Sequence, residues 1–172
     1  MKSSFAMHRT IGIVGLVAAA FVALSFAGPA FAADAKAQIT ELDQKCASAP
    51  TLDAGMACYD NSDELVVYDV GTPREFDGTK AVRADFKKFF DTSKDIKVEF
   101  VTFHVVTDGK LGIANSVQHV TWTDTKSGKP GDMTLRVTDV WRKEKDGWKI
   151  IEQHLSIPVD LASGKPDMQS KP

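Results

Sequence analysis

The chain has 172 residues, with 21 lysines and arginines against 23 aspartates and glutamates, and a formal net charge of −2. This length suits one domain with a sizeable hydrophobic core. Because the balance is slightly acidic and no basic stretch stands out, nucleic acid is not an expected partner.

The N-terminal segment has the layout of a secretory signal peptide. Lys2 and Arg9 precede an apolar run over residues 11–27, which is followed by a glycine-proline pair and a small-x-small triplet at residues 30–32. A membrane anchor is the alternative, but the run is short for a membrane span. We predict that residues 1–32 are removed by cleavage after Ala32. The mature protein is then expected in the periplasm or outside the cell, with no membrane association.

Two short helices are predicted next. Apolar side chains at helical spacing, including Ile39, favour a helix over residues 35–47, and Thr51 is a suitable N-cap for a second helix. Adjacent helices of this kind bring Cys46 and Cys58 together. Export makes a disulfide between them the expected state, with two buried free thiols as the alternative.

A short strand and an amphipathic helix follow. Residues 65–70 form an apolar run that carries one polar residue, Asp69, and residues 71–78 are rich in turn formers. From Thr79 onward, apolar residues recur at helical spacing and predict the clearest helix of the chain. The apolar positions of that helix are Val82, Phe86, Phe89 and Phe90.

The rest of the chain shows strand patterns separated by turns. The four predicted strands, each rich in β-branched and aromatic residues, cover 96–106, 111–122, 133–142 and 148–157. Helices followed by an antiparallel meander predict an α+β fold, with N-terminal helices packed on a strongly curved, mainly antiparallel sheet. We assign residues 33–160 to this domain and residues 161–172 to a flexible C-terminal tail.

Two separated motifs carry a resemblance to a known family. Residues 67–78 (VYDVGTPREFDG) and residues 136–158, which include RVTDVWRK and HLSIP, resemble SnoaL-like proteins of the nuclear transport factor two superfamily. The resemblance implies a cone-shaped fold that is often a homodimer through the outer face of its sheet. It also implies a pocket that serves isomerases, cyclases and dehydratases in some members and binding alone in others.

The predicted last hairpin decides which side chains share a face. A three-residue loop at 145–147 would place Thr138 opposite His154 and Arg136 opposite Ser156, whereas a two-residue loop would separate His154 from Arg136. We favour the longer loop because its glycine suits a left-handed position. The family resemblance implies that this histidine points inward.

In that register, Asp69 and His154 could meet across the mouth of the pocket as a catalytic acid/base pair. Arg136 beside them could bind an oxyanion or a ligand carboxylate. The alternative is that the three groups only satisfy one another as a buried polar network.

Further ligand-binding candidates are Tyr59, Arg74, Trp122 and Thr138. Aromatic walls are common in small-molecule sites, although Tyr59 and Trp122 could equally be core or interface residues. Arg74 lies in a predicted loop and could reach the pocket rim or remain solvated. No role is assigned to His104 or His119.

The sequence contains no metal-binding motif, phosphate-binding loop or nucleophile elbow, so we predict no metal and no cofactor. The leading hypothesis is an exported domain that binds a small, partly apolar molecule. One alternative is a cofactor-free isomerase, dehydratase or hydrolase. The other is a protein-interaction module that acts through the outer face of the sheet.

Overall fold

A computed structural model describes residues 28–170 of the chain. Residues 1–27, which contain most of the predicted signal peptide, lie outside the described residues. The elements in chain order are α1 (Gly28–Ala47), α2 (Leu52–Met56), β1 (Val66–Tyr68), β2 (Phe76–Asp77), α3 (Gly78–Thr92), β3 (Ser93–Thr107), β4 (Leu111–Asp124), β5 (Pro130–Glu144) and β6 (Gly147–Ser156).

The strands form one six-stranded open sheet in the order β2-β1-β6-β5-β4-β3. β1 pairs with β6 in parallel and all other neighbours are antiparallel. α1 packs on β3 and β4, and α3 contacts β1, β2 and β3. The predicted α+β architecture is therefore confirmed. The most deeply buried side chains are Trp141, Ile39, Leu65, Ile150, Val67 and Val82.

Two details of the helical segment agree with the sequence. The Thr51 side chain caps α2 by accepting a hydrogen bond from the Ala54 amide. A disulfide joins Cys46 at the end of α1 to Cys58 just after α2, with a Cα–Cα distance of 6.1 Å. Such a bond is typical of proteins in an oxidising compartment.

The last hairpin corrects one prediction. Glu144 pairs with Gly147, so the loop between β5 and β6 has two residues rather than the three expected. A β-bulge then shifts the register, because Trp141 pairs with Ile150 while the preceding Val140 pairs with Glu152.

The bulge leaves Ile151 as the extra residue of β6. It restores the predicted pairing of Thr138 with His154 and of Arg136 with Ser156.

The predicted orientation of these strands was wrong. The buried side chains of β5 are at odd positions, Leu135, Val137, Asp139 and Trp141, and they face the helices. Arg136, Glu152 and His154 are exposed and Thr138 is half-buried, on the opposite face of the sheet. The apolar residues of β5 decide its orientation, because burying them against the helices stabilises the fold.

The segment after β6 contacts the sheet. The Thr134 amide donates to the Met168 carbonyl over 2.8 Å, and the Gln169 side chain donates to Asp132 over 3.0 Å. Met168 and Gln169 of the predicted flexible tail are thus linked to β5 by one backbone and one side-chain hydrogen bond.

Among the helices of the described residues, none combines the length and the apolar character that a membrane crossing requires.

Candidate functional site

A cavity of about 260 Å³ lies between the helices and the inner face of the sheet. Most of its wall is apolar and comes from α3 and from alternate positions of β3 to β6. These apolar lining residues include Phe86, Phe89, Phe90, Ile96, Val98, Val120, Met133, Leu135, Val137, Ile150 and Leu155. An apolar cavity with a few polar groups is the usual form of a small-molecule site.

A hydrogen-bonded polar cluster interrupts this apolar wall. The Tyr59 hydroxyl donates to Gln153 Oε1 over 2.9 Å, and Gln153 Nε2 donates to Asp139 Oδ1 over 2.6 Å. On the other side of the cluster, the Trp141 indole donates to Asp43 Oδ2 over 3.0 Å. Asp43 is 2% exposed and Asp139 is 3% exposed, so α1 and β5 hold two carboxyl groups away from water.

Asp43 and Asp139 differ in their affinity for a proton. Burial raises the pKa of Asp139 well above its ordinary value, and the charge of Asp43 raises it further. Burial also raises the pKa of Asp43, to about 6, against the opposing effect of the hydrogen bond from Trp141. At neutral pH the coupled pair therefore keeps one proton and carries one negative charge, with the lower pKa of the two on Asp43.

A second pair of carboxyl groups, Asp69 and Asp85, lines the same cavity. Burial raises the pKa of Asp69, and the hydrogen bond with Asp85 acts in the same direction. The backbone amides of Val70 and Gly71 donate to Asp69 and oppose this shift. Asp85 also forms an ion pair with Lys88, 3.3 Å away on the exposed side of α3.

The structure separates the predicted catalytic residues. Asp69 lines the cavity, whereas His154 is exposed on the outer face, where its ring lies 5.6 Å from that of Tyr68. Since Asp69 and His154 are on opposite sides of the sheet, they cannot act as one acid/base pair.

The predicted ligand-binding residues are also divided. Tyr59 lines the cavity. Arg136 is exposed on the outer face, and Thr138 there donates to Asn115 over 3.0 Å. Arg74 is exposed in the loop after β1. Trp122 packs against Phe89, with ring centroids 5.7 Å apart, and lies outside the cavity lining.

Sequence reasoning missed Asp43, Asp139 and Gln153. Two of them are polar residues at apolar-face positions: Asp43 is four residues after the buried Ile39 on α1, and Asp139 alternates with Val137 on β5. A polar residue at a position where the pattern predicts an apolar one was the signal by which the sequence could have identified these two aspartates. Gln153 required knowledge of the bulge, since only the bulge turns it inward.

In the described part of the chain, no group of three or more histidine, cysteine, aspartate or glutamate side chains has an arrangement that could hold a metal ion.

Comparison with known proteins supports the fold. Residues 41–160 match the family model of the SnoaL-like domain. The structure is similar to an NTF2-like protein of unknown function from Pseudomonas putida KT2440, with a TM-score of 0.71, 22% identity, and coverage of 81% of this chain and 98% of that one.

Two more solved structures are similar. An NTF2-like superfamily protein from Salmonella enterica gives a TM-score of 0.67 at 19% identity, covering 77% of this chain and 97% of that one. A candidate dehydratase of the NTF2-like family from Streptomyces avermitilis gives a TM-score of 0.64 at 14% identity, with coverage of 73% of this chain and 97% of that one. No curated protein matches the chain.

Proposed function

Because the chain belongs to the SnoaL-like family, we propose that it binds a small, mainly apolar molecule in the cavity between its helices and the inner face of its sheet. The observation that carries this proposal is the cavity of about 260 Å³ itself, whose wall is largely aromatic and aliphatic. Cavities of this composition bind small ligands because apolar surface leaves water on binding. Tyr59 and Asp69 are the two sequence-predicted site residues that line it.

The test uses a neutral apolar probe, N-phenyl-1-naphthylamine, whose fluorescence rises when it leaves water. Val137→Phe would fill part of the cavity, while Thr138→Phe makes the same addition one residue away on the outer face. We expect saturable binding to the native protein and to Thr138→Phe, and at least tenfold weaker binding to Val137→Phe. Equal binding to both variants, with native circular dichroism spectra, would locate the probe elsewhere and contradict the proposal.

The carboxyl pair favours a second candidate function, proton transfer without a cofactor. Asp43, ionised at neutral pH, could take a proton from a carbon next to a ligand carbonyl, while neutral Asp139 donates a hydrogen bond to the oxygen that gains charge. The similarity to a candidate dehydratase is compatible with such chemistry.

Deuterium exchange into cyclohexanone, followed by NMR, tests this second candidate. The native protein should accelerate the exchange, and Asp43→Asn should remove the acceleration. A native rate equal to that of buffer at the same pH contradicts proton transfer but leaves ligand binding intact.

Export and dimer formation are further parts of the proposal. The predicted signal peptide and the Cys46–Cys58 disulfide support export to the periplasm or outside the cell. N-terminal sequencing of the mature protein should begin at Ala33.

On the outer face, Val106, Leu111 and Ile113 expose 62%, 48% and 40% of their surface, which supports a homodimer through this face. Ile113→Lys should then convert a dimer into a monomer in light-scattering measurements. Native protein of monomer mass would contradict the dimer.

A further inference from the structure

The cavity has an unbalanced set of charged groups. Four aspartates line it, Asp43, Asp69, Asp85 and Asp139, and its lining contains no lysine, arginine or histidine. A charge removed from water normally has an opposite charge close by, because desolvation is otherwise costly. The acidic groups are thus arranged around a largely apolar space whose lining lacks a protein cation.

Of the four carboxyl groups, Asp43 most clearly lacks a positive charge nearby. Its side chain is almost fully buried and is held by the Trp141 indole, a neutral donor. In the described residues, no lysine, arginine or histidine lies within ion-pair distance of Asp43, Asp69 or Asp139. Lys88 pairs only with Asp85, and its side chain is 68% exposed.

The aromatic part of the wall suits a cation as well. Tyr59 and Phe86 meet edge to face, with ring centroids 5.4 Å apart, and both rings line the cavity together with Phe89 and Phe90. Ring faces attract a nearby ammonium group, and this attraction grows when water is excluded. Carboxylate and aromatic groups therefore favour the same kind of ligand head group.

We propose that the ligand of this cavity is an organic amine: a compact apolar body whose ammonium group pairs with Asp43 while its carbon skeleton lies against the phenylalanine rings. This proposal rests on the binding function proposed above and adds the chemical class of the ligand. A carboxylate of the same size would place a second negative charge beside Asp43, so we expect repulsion to weaken its binding.

Three eight-carbon probes that differ only in their head groups test the proposal. Octylamine, octanol and octanoate are titrated into the protein by isothermal calorimetry at pH 7.5. We expect octylamine to bind at least tenfold more tightly than octanol, and octanoate to bind more weakly than octanol. Octanol affinity equal to or above that of octylamine overturns the amine proposal and leaves the proposed apolar binding function standing. Absence of binding by both octanol and octylamine overturns the binding function and the amine proposal together.

A matched pair of variants tests whether the charge of Asp43 causes the preference for octylamine over octanol. Asp43→Asn keeps the shape of the side chain and should reduce the octylamine preference over octanol to less than threefold. Glu99→Gln removes one carboxylate from the exposed outer face, where Glu99 pairs with His119, and should leave the preference unchanged. A preference that survives in a folded Asp43→Asn protein contradicts the role of Asp43.

Native protein at lower pH gives the same information if Asp43→Asn does not fold. Asp43 faces Asp139 of β5, and the ring of Tyr59 lies near both carboxyls, with Asp69 and Asp85 farther along the same cavity. Protonation of Asp43 below a pKa of about 6 should abolish the octylamine preference at pH 5 while octanol binding persists. A preference unchanged between pH 7.5 and pH 5 overturns the proposal.

Discussion

The charge of Asp43 should make the free protein less stable as pH rises. In the folded state burial raises the pKa of this carboxyl to about 6, from an ordinary value of 3.8. Between these two values the folded chain keeps a proton that the unfolded chain has lost, so the free energy of unfolding falls with increasing pH. A difference of this size corresponds to about 3 kcal/mol, which is lost progressively as the pH rises from about 4 through the folded-state pKa of about 6.

Asp43→Asn should remove this part of the pH dependence. The variant keeps an oxygen acceptor for the Trp141 indole but carries no charge, so its advantage over the native protein should grow from near zero at pH 4 to about 3 kcal/mol at pH 8. Burial, the main cause of the raised pKa of Asp139, remains in both proteins, whereas the part due to Asp43 is lost in the variant, so the difference between them reports the charge of Asp43 together with its effect on Asp139.

Urea unfolding followed by tryptophan fluorescence measures this difference. Trp141 and Trp148 are buried in the native core and report its loss. Unfolding curves are recorded at half-unit steps from pH 4 to pH 8, with Glu99→Gln as the control for removal of an exposed carboxylate. Parallel pH profiles for native protein and Asp43→Asn would refute the assignment of a buried, proton-binding carboxyl to this position.

Three other predictions follow from particular contacts. Tyr59→Phe leaves Gln153 Oε1 without its buried donor, and thermal unfolding should show a loss of about 1–3 kcal/mol. Gly131→Ala places a methyl group onto the Trp122 indole; the expected destabilisation is about 1–3 kcal/mol, and unchanged stability would mean that the indole moves freely. His154→Ala changes an exposed outer-face residue and should alter N-phenyl-1-naphthylamine affinity less than twofold; a larger loss would place the histidine in the binding site.

Local patterns predicted the elements of this fold well. Each strand of the meander has enough β-branched and aromatic residues to be recognised, and the phenylalanine stripe of α3 repeats at helical spacing. The Cys46–Cys58 bond follows from the same local reasoning, because two short adjacent helices leave their cysteines close together. β2 was missed since two residues, Phe76 and Asp77, are too few to form a pattern.

The site was harder to predict because it depends on which face of the sheet is buried. Polar residues such as Arg136 and His154 suggest a site, yet burial of the alternating apolar positions determines the orientation of β5. The side chains that do meet in the cavity come from elements far apart in the chain: Asp43 from α1, Tyr59 from the segment after α2, and Asp139 from β5. Their contact depends on tertiary packing that no short sequence window contains.

The bulge at Ile151 determines which side chains in the distal half of β6 face the cavity. On the hairpin side of this residue the inward positions are even, as at Ile150, and beyond it they are odd, as at Gln153. If Ile151 paired with β5 as a regular strand residue, the two faces of the distal half of the strand would be exchanged, with His154 turned toward the cavity and Gln153 toward solvent. Loss of the bulge with all residues kept could thus replace an amide with an imidazole in the cavity, a route by which one scaffold can acquire different chemistry.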